Sequence, residues 1–521
     1  MLLTLITFIP LLGGLFLLCV PSALEGAHKR LAFAISLVPL VLSIMMFFMF
    51  KTGQVEFQFT VLKSWVPSLG IHYRLGVDGL SLVLVLLTAF LTPLSILASF
   101  RSIQTREKMF YFSMLLLETG MIGTFVALDM FLFFLFWELM LVPMYFIIGI
   151  WGHEYRIYAS IKFFLYTAFG SALMLLVIFY LYFEAAEQFG DLVSFNFENF
   201  TTLDLSPVTQ RWLFAGFVLA FLIKMPIFPF HTWLPYAHTE APTAGSVLLA
   251  GILLKTGVYG FLRFAIPFFP DAVVSFTPLL MLLAVIGIIY GAMVAMVQRD
   301  VKRLVAYSSV SHMGVLLAGI LAWNLQGIEG GILQMVNHGL STGALFLIVG
   351  MIYERRHTRE VSEFGGLSKT MPLFAAYFMI MTLSSIGLPG LNGFVGEFLI
   401  LAGLMGSSIV WTCLAATGVI LGAVYMLTLY QRMMFGPIHK SENQQLADLD
   451  KREVAILLPI ALCCFLIGIY PQPLIKTIEP SARKIVETIQ PHLVATPWHE
   501  TITLPPVDSL PTAAKPESES H

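Results

Sequence analysis

The chain has 521 residues, of which 58% are hydrophobic and only 12% are charged. Soluble proteins carry about 25% charged residues, so this composition excludes an ordinary soluble globular protein and predicts a polytopic protein of the lipid bilayer. The formal net charge is −2 and no basic block occurs, which argues against nucleic acid as a partner.

Uncharged runs of about 20 residues, the length of a helix that crosses a hydrocarbon core, recur along the chain. They predict an all-α fold with about 14 transmembrane helices. The first run is kept as a helix because no basic stretch precedes it, as a signal peptide would require. The predicted spans are 2–20, 30–50, 77–99, 109–127, 129–149, 160–183, 212–235, 242–264, 275–297, 303–322, 328–350, 372–403, 408–433 and 453–470.

The lysines and arginines indicate which loops lie inside the cell, each loop taking the number of the span before it. The odd-numbered loops are basic, as in the cluster of Arg355, Arg356 and Arg359, although loop seven holds no such residue. The even-numbered loops, together with the span ends beside them, hold only Lys51, Lys63, Arg74, Arg211 and Arg263. The positive-inside rule therefore places the odd loops in the cytoplasm and both termini on the outer side.

The predicted spans divide the chain into four parts. Three N-terminal helices occupy 1–108, a core follows over 109–433, and a C-terminal helical region covers 434–487. Residues 488–521 are rich in proline and end in KPESESH, which predicts a disordered tail. The four cysteines lie in predicted spans without CxxC spacing, so we expect neither a zinc nor an iron–sulfur site.

Four ionisable residues lie deep within predicted spans: Glu138, Lys224, Lys255 and Glu397. Each charge at the bilayer midplane costs roughly 2.5–3.5 kcal/mol, so together they cost on the order of 10 kcal/mol. Buried ion pairs that fix helix register would explain them, and so would a proton or ion relay through a hydrated interior. The relay is favoured because intramembrane ionisable groups usually mark ion pathways.

Two of these residues stand beside helix breaks. Pro226 and Pro229 follow Lys224, and Pro389 and Gly390 precede Glu397. Proline removes a backbone donor and clashes one turn back. Irregular backbone at membrane depth is tolerated only where protein or a water-filled cavity satisfies it, and paired broken helices point to an ion site.

Further candidates for the relay are His312, His338, His231 and Glu118. His312 and His338 lie on successive helices between the two breaks, where a proton wire needs intermediate carriers. A lone buried histidine is usually only hydrogen-bonded, so that interpretation stays open for both. His231 and His238 flank Pro235, where helix capping and water contacts are favoured over a metal site because no fourth ligand is evident.

Four stretches are recognisable: FFLFWELMLVPMYFIIGIWG, KMPIFPFHTWLPYAHTEAPTAGSVLLAGILLKTGVYG, DVKRLVAYSSVSHMG and LPGLNGFVGEFLIL. Together they resemble the M subunits of bacterial respiratory complex I, the antiporter-like membrane subunits of NADH–quinone oxidoreductase, over about residues 1–475. Glu397 occupies a place where L-like and N-like relatives usually have lysine, and the lateral helix that extends L subunits is missing.

The resemblance implies two inverted five-helix repeats, at about 109–264 and 275–433, each with one broken helix. It implies that Glu138 pairs with Lys224, that Lys255 is the central carrier and that Glu397 is the terminal group. The implied partners are the other membrane subunits, above all the L-like and N-like ones, in the bacterial inner membrane. FMN, iron–sulfur clusters, NADH and quinone are expected at partner subunits, with no cofactor in this chain.

Three functions therefore remain under consideration. The first is proton translocation as a subunit of NADH–quinone oxidoreductase. The second is a subunit of a multi-subunit Na⁺/H⁺ antiporter or of a membrane-bound hydrogenase, and the lysine-rich axis favours protons over sodium. The third is a quinone- or haem-bearing redox protein, for which His312 and His338 are the plausible axial pair.

Overall fold

The computed structural model describes residues 1–21, 26–190 and 193–493 as an all-α polytopic membrane protein with one small β-hairpin. The helices of the first half are α1 (Leu2–Cys19), α2 (Ala27–Met49), α3 (Gly79–Ser102), α4 (Glu107–Val126), α5 (Met130–Trp151), α6 (Arg156–Phe189), α7 (Phe197–Thr201), α8 (Pro207–Lys224), α9 (Leu234–Glu240) and α10 (Thr243–Phe268). Those of the second half are α11 (Pro270–Met296), α12 (Val301–Ile320), α13 (Leu325–Arg356), α14 (Pro372–Ser385), α15 (Asn392–Ser407), α16 (Ile409–Met434), α17 (Lys451–Ile469) and α18 (Gln472–Leu493). The hairpin pairs β1 (Gln58–Val66) antiparallel with β2 (Ile71–Val77).

All the predicted spans correspond to helices of the structure, which confirms the all-α polytopic fold. Among the described residues, 12 helices are long and apolar enough to cross a membrane. The two other predicted spans are the two broken ones: α8 and α9 replace 212–235, and α14 and α15 replace 372–403. The inverted-repeat relationship stays a prediction.

The odd-numbered loops meet on one side of the protein, which we call the basic face after Arg101, Arg299, Arg355, Arg356 and Arg359. Representative contacts between these loops are Trp151 Nε1 to the Thr105 carbonyl, Arg101 to Asp450, Arg359 to the Thr239 carbonyl and Gly366 N–H to the Phe435 carbonyl. A miscount of the helices by one would have sent half of these loops to the other side. The alternation of loops predicted from charge is therefore present in the fold.

The opposite side carries the β-hairpin and α18, and we call it the hairpin face. The Asp129 carboxylate accepts from the His72 N–H of the hairpin, and Ser481 of α18 donates to Asp78 at the start of α3. Helix α18 packs along the starts of α3, α11 and α13. The hairpin was not predicted, and the predicted C-terminal helical region (434–487) did not specify a separate surface helix after the span 453–470.

The C-terminal boundary also differs from the prediction. Helix α18 continues to Leu493, past the predicted start of the disordered tail at residue 488. The rest of that predicted tail, residues 494–521, lies outside the described residues.

Burial separates an inner set of helices from an outer set. The most apolar stretches of α10 and α13 are 100% buried within the protein, and that of α12 is 89% buried. By contrast, only 33% is buried in each of α1, α16 and α17, whose other faces are available to lipid. Lys255, His338 and His312 lie on α10, α13 and α12, so each of these three interior helices carries an ionisable group.

Candidate functional site

The structure places Lys224, Lys255, His338 and Glu397 in the interior of the helix bundle. Their side chains are 1%, 0%, 2% and 6% exposed. A charge so deeply buried is costly unless other groups compensate for it, so the contacts of each residue decide what it does.

Lys255 contacts His338 directly. Its Nζ lies 2.7 Å from Nδ1 of the imidazole, although 83 residues separate the two in sequence. The same amine donates to the carbonyl of Ala250, which lies within the π-helical stretch Leu249–Leu253 of α10. A π-helical turn locally rearranges the helical hydrogen bonds and is frequent at functional sites. The local irregularity of α10 therefore supplies one partner of the central lysine.

A second pair continues this line toward the other break. The ring centroids of His338 and His312 lie 5.6 Å apart, in a T-shaped arrangement. His312 Nδ1 lies 3.4 Å from Oε1 of Glu397, and its Nε2 lies 3.4 Å from the Ser385 hydroxyl. Lys255, His338, His312 and Glu397, which we call the central row, thus follow one another across α10, α13, α12 and α15.

Polar side chains surround the break that precedes Glu397. Gln334 donates to Oε1 of Glu397 at 3.3 Å. The Ser384 hydroxyl donates to the Asn392 side chain at 2.6 Å, and Asn337 donates to the Asn392 carbonyl at 2.8 Å. The predicted break at Pro389 and Gly390 is therefore held by side chains of α13 and α14, as irregular backbone at this depth requires.

The first break ends α8 at Lys224. Here the Ile223 carbonyl accepts from Trp233 Nε1 at 2.9 Å, which satisfies one backbone group at the end of α8. The Lys224 ammonium lies 5.1 Å from the Trp137 ring and 5.8 Å from the Phe163 ring. Aromatic faces attract cations at these distances.

Glu138 lies near Lys224 and is half-buried. The two groups interact electrostatically, but no ion pair within 4.0 Å joins them among the described residues. Oε1 of Glu138 is buried without a hydrogen-bond partner. The predicted pairing therefore has the form of a nearby charge rather than a direct contact.

Two predicted candidates lie apart from the central row. His231 packs against the rings of Phe228 and Tyr290, at centroid distances of 5.7 Å and 5.2 Å. Glu118 on α4 is fully buried, and both of its carboxylate oxygens lack a hydrogen-bond partner. The contacts of the described residues join neither of them to Lys255, His338, His312 or Glu397.

The structure adds two residues that sequence reasoning did not select, His238 and Lys302. His238 is fully buried, stacks on Phe346 at 4.6 Å, and has no hydrogen-bond partner on either ring nitrogen. It interacts electrostatically with both Lys302 and Lys255. Lys302 is 3% exposed and donates to the Ala241 carbonyl at 2.5 Å. In sequence, Lys302 is one of several basic residues in loop nine, which hid its burial.

A cavity of about 630 Å³ opens beside these residues on the basic face. His153, Glu240, Arg303 and Arg359 are among the residues that line it. Burial, together with the positive charges of Lys302 and Arg359, lowers the pKa of His153 to about 4. The His153 ring is therefore neutral at neutral pH. Glu240 lines the cavity and interacts electrostatically with Lys302.

The described residues contain no group of three or more His, Cys, Asp or Glu that could hold a metal ion. The two histidines of the central row pack ring to ring and engage Lys255 and Glu397.

Comparison with known proteins gives consistent matches along most of the chain. The family model for the transmembrane region of NADH:quinone oxidoreductase and the Mrp antiporter matches residues 127–422, and the model for the amino terminus of NADH-ubiquinone oxidoreductase chain 4 matches residues 11–124. The chain is 45% identical over 498 residues to NADH-quinone oxidoreductase subunit M of Rhodobacter capsulatus, covering 93% of this chain and 96% of the relative. It is 42% identical to NADH-ubiquinone oxidoreductase chain 4 of Marchantia polymorpha, covering 92% and 96% of the two chains.

A solved structure agrees with these sequence matches. A chain of respiratory complex I from Thermus thermophilus with bound NADH superposes with a TM-score of 0.85 at 32% identity. The match covers 94% of this chain and all of the other. The likeness therefore extends over nearly the whole fold.

Proposed function

We propose that this chain, which belongs to the family of NADH-quinone oxidoreductase subunit M and NADH-ubiquinone oxidoreductase chain 4, moves protons through its buried central row as a membrane subunit of that enzyme. The observation that carries the proposal is the succession of Lys255, His338, His312 and Glu397 across four helices. Every member of the row can bind and release a proton. Burying so many ionisable groups within a membrane is costly, so their retention by chance is a poor explanation.

Proton movement along the row follows from the geometry of its contacts. Transfer between side chains requires hydrogen-bond reach, about 2.6–3.2 Å or one bridging water. Lys255 and His338 meet that condition at 2.7 Å. His312 and Glu397 are slightly longer at 3.4 Å, and the two rings meet at 5.6 Å between centroids. A water molecule or a small ring rotation completes each of these two steps.

The Glu138–Lys224 pair supplies control rather than a direct transfer step. At about 4 Å and an effective dielectric constant of about 20, opposite charges attract by roughly 4 kcal/mol, and the attraction falls with distance. The two groups are more than 4.0 Å apart. Because their attraction depends on distance, a small movement of either one changes how firmly the Lys224 amine holds its proton. The driving movement comes from partner subunits, since quinone reduction is expected elsewhere in the enzyme.

Protons enter the row from the basic face in this proposal. The cavity of about 630 Å³ leads to Glu240, and the buried Lys302 and His238 lie between it and Lys255. His238 has two ring nitrogens without partners, so it can accept a proton on one and release it from the other. Glu397, beside the loosened turn at Pro389, is the exit group.

The family and the charge pattern together suggest the cellular setting. The basic face lies in the cytoplasm of a bacterial inner membrane, and both termini lie on the outer side. The neighbours are the L-like and N-like membrane subunits, while NADH, FMN, iron–sulfur clusters and quinone belong to other subunits. The alternative is a Na⁺/H⁺ antiporter or a hydrogenase subunit, because the matched family model spans both oxidoreductases and antiporters.

Vesicles that contain the assembled complex test this function. We expect NADH oxidation to drive proton uptake at the same rate with and without sodium, and Lys255→Ala to abolish the share carried by this chain. Uptake that depends on sodium would instead support the antiporter. Uptake unchanged by Lys255→Ala would contradict the central row.

A further inference from the structure

A second cavity on the basic face lies away from the central row. It measures about 720 Å³ and is formed where α11 and α16 end, between loops nine, eleven and thirteen. Backbone hydrogen bonds fix these loops, because Val361 N–H donates to the Arg299 carbonyl and Gly366 N–H donates to the Phe435 carbonyl. The cavity is therefore part of the built structure and not a gap between loose segments.

Its charge is predominantly positive. Arg299, Arg432 and His439 line it, and Glu360 is its one acidic lining residue. The Glu360 carboxylate accepts from the Ser362 hydroxyl at 3.3 Å. None of the ion pairs between described residues involves the side chain of Arg299 or Arg432. Two guanidinium groups are thus available to an anion.

Apolar surface continues from this cavity along the two helices into the membrane. On α11, Met293 and Val297 stand one turn apart and are 56% and 73% exposed. On α16, Ile420 and Val424 form a similar exposed pair, and Phe435 at the cavity rim is 53% exposed. Helices α11 and α16 pack against each other, and both end at the cavity that Arg299 and Arg432 line.

We propose that this cavity binds the phosphate headgroup of an anionic phospholipid, whose acyl chains lie along the exposed faces of α11 and α16. Basic pockets between transmembrane helices on the cytoplasmic side are suited to such headgroups. Guanidinium groups form strong, two-pronged hydrogen bonds with phosphate oxygens. Charge and apolar surface are arranged here in the order in which a phospholipid presents its headgroup and tails. The site does not depend on proton transfer by this chain.

The proposal is tested by measuring how tightly the purified full chain binds anionic phospholipid. The probe is phosphatidylglycerol, compared with phosphatidylcholine, titrated in detergent and read by native mass spectrometry. Each basic residue near an anionic membrane surface is worth about 1 kcal/mol. The double variant Arg299→Gln with Arg432→Gln should therefore lose about 30-fold in affinity for phosphatidylglycerol, equivalent to about 2 kcal/mol. Phosphatidylcholine binding should change little.

The matched control removes two other exposed lysines near the basic face, Lys369→Gln with Lys451→Gln, which lie outside the cavity. It should keep the parent affinity. Glu360→Gln gives a test in the opposite direction, since removing the acid should tighten phosphatidylglycerol binding while the amide oxygen still accepts from Ser362.

Three results would overturn the proposal. One is equal loss of phosphatidylglycerol by the control pair, which would mean that only overall charge matters. Another is full competition by millimolar inorganic phosphate, which would identify a site for free phosphate rather than lipid. The third is unchanged phosphatidylglycerol binding in both the arginine variant and Glu360→Gln. This result would mean that the cavity does not bind the lipid and that its face instead contacts a neighbouring subunit.

Discussion

Replacing His338 with glutamine should interrupt proton movement while leaving the helix bundle intact. Glutamine retains an acceptor for the Lys255 amine, which lies 2.7 Å from the imidazole in the parent, but it cannot carry a proton. Alanine would instead leave that buried amine with the Ala250 carbonyl alone, at a cost of about 1–3 kcal/mol. The glutamine variant therefore separates proton transfer from folding.

The size of the effect follows from the row's geometry. In the parent, Lys255 contacts His338, and His338 in turn packs against His312. The variant therefore lacks the carrier that links Lys255 to the rest of the row, and a positioned acid–base group typically contributes 10²–10⁴-fold to rate. We expect proton flux through this chain to fall by about 100-fold or more.

The assay is NADH-driven acidification of inverted membrane vesicles, with the thermal stability of the purified complex measured alongside. His231→Gln is the matched control, because His231 is also buried but contacts Phe228 and Tyr290 instead of the central row. Its pumping should equal that of the parent. Parental pumping by His338→Gln, or an equal loss in His231→Gln, would refute the reasoning.

Three further predictions concern the ends of the pathway. Glu138→Gln should remove most coupled pumping without loss of assembly, because the substitution removes the charge that acts on Lys224. Acidification per NADH measures the pumping, subunit content measures the assembly, and full pumping by a well-assembled variant would contradict this role. Glu397→Gln should slow both pumping and the NADH turnover linked to it, whereas Glu397→Lys should retain part of both, since lysine can still exchange a proton there. If the glutamine variant pumped better than the lysine variant in vesicles, Glu397 would have only a packing role. His238→Phe should keep the stack on Phe346 but slow proton uptake from the basic face by about 10-fold or more, and unchanged uptake would place the entry elsewhere.

Much of the membrane topology could be predicted from local sequence. Span length follows from bilayer thickness, and the breaks beside Lys224 and Glu397 follow from proline and glycine chemistry. Loop charges then ordered the helices correctly, since the odd loops do meet on one face. These features depend on residues close together in the chain.

The contacts of the site depend on helix rotation and packing, which local patterns do not determine. Lys255 and His338 are 83 residues apart, and only the fold brings them to 2.7 Å. Lys302 was hidden among exposed loop charges, although its amine is buried against the Ala241 carbonyl. His231 and Glu118 were also candidates in sequence, yet they lie apart from the central row.

Helix α18 was not predicted as a separate surface helix, for a different reason. Its sequence is amphipathic and contains Pro480 and Pro491, so it lacks the apolar run that identifies a membrane span. Its apolar side, including Ile478 and Ile485, is buried on the hairpin face. A surface helix of this kind is stabilised by the helices beneath it, and how those helices pack together was not known from sequence.

The most direct measurement compares Lys255→Arg with Lys255→Ala in vesicles that contain the assembled complex. Arginine keeps a positive charge but does not release a proton at physiological pH. If Lys255 carries protons, both variants should lose pumping to the same extent while the arginine variant assembles normally. Restoration of pumping by arginine would show that position 255 requires only a fixed charge, and it would contradict a proton relay through the central row.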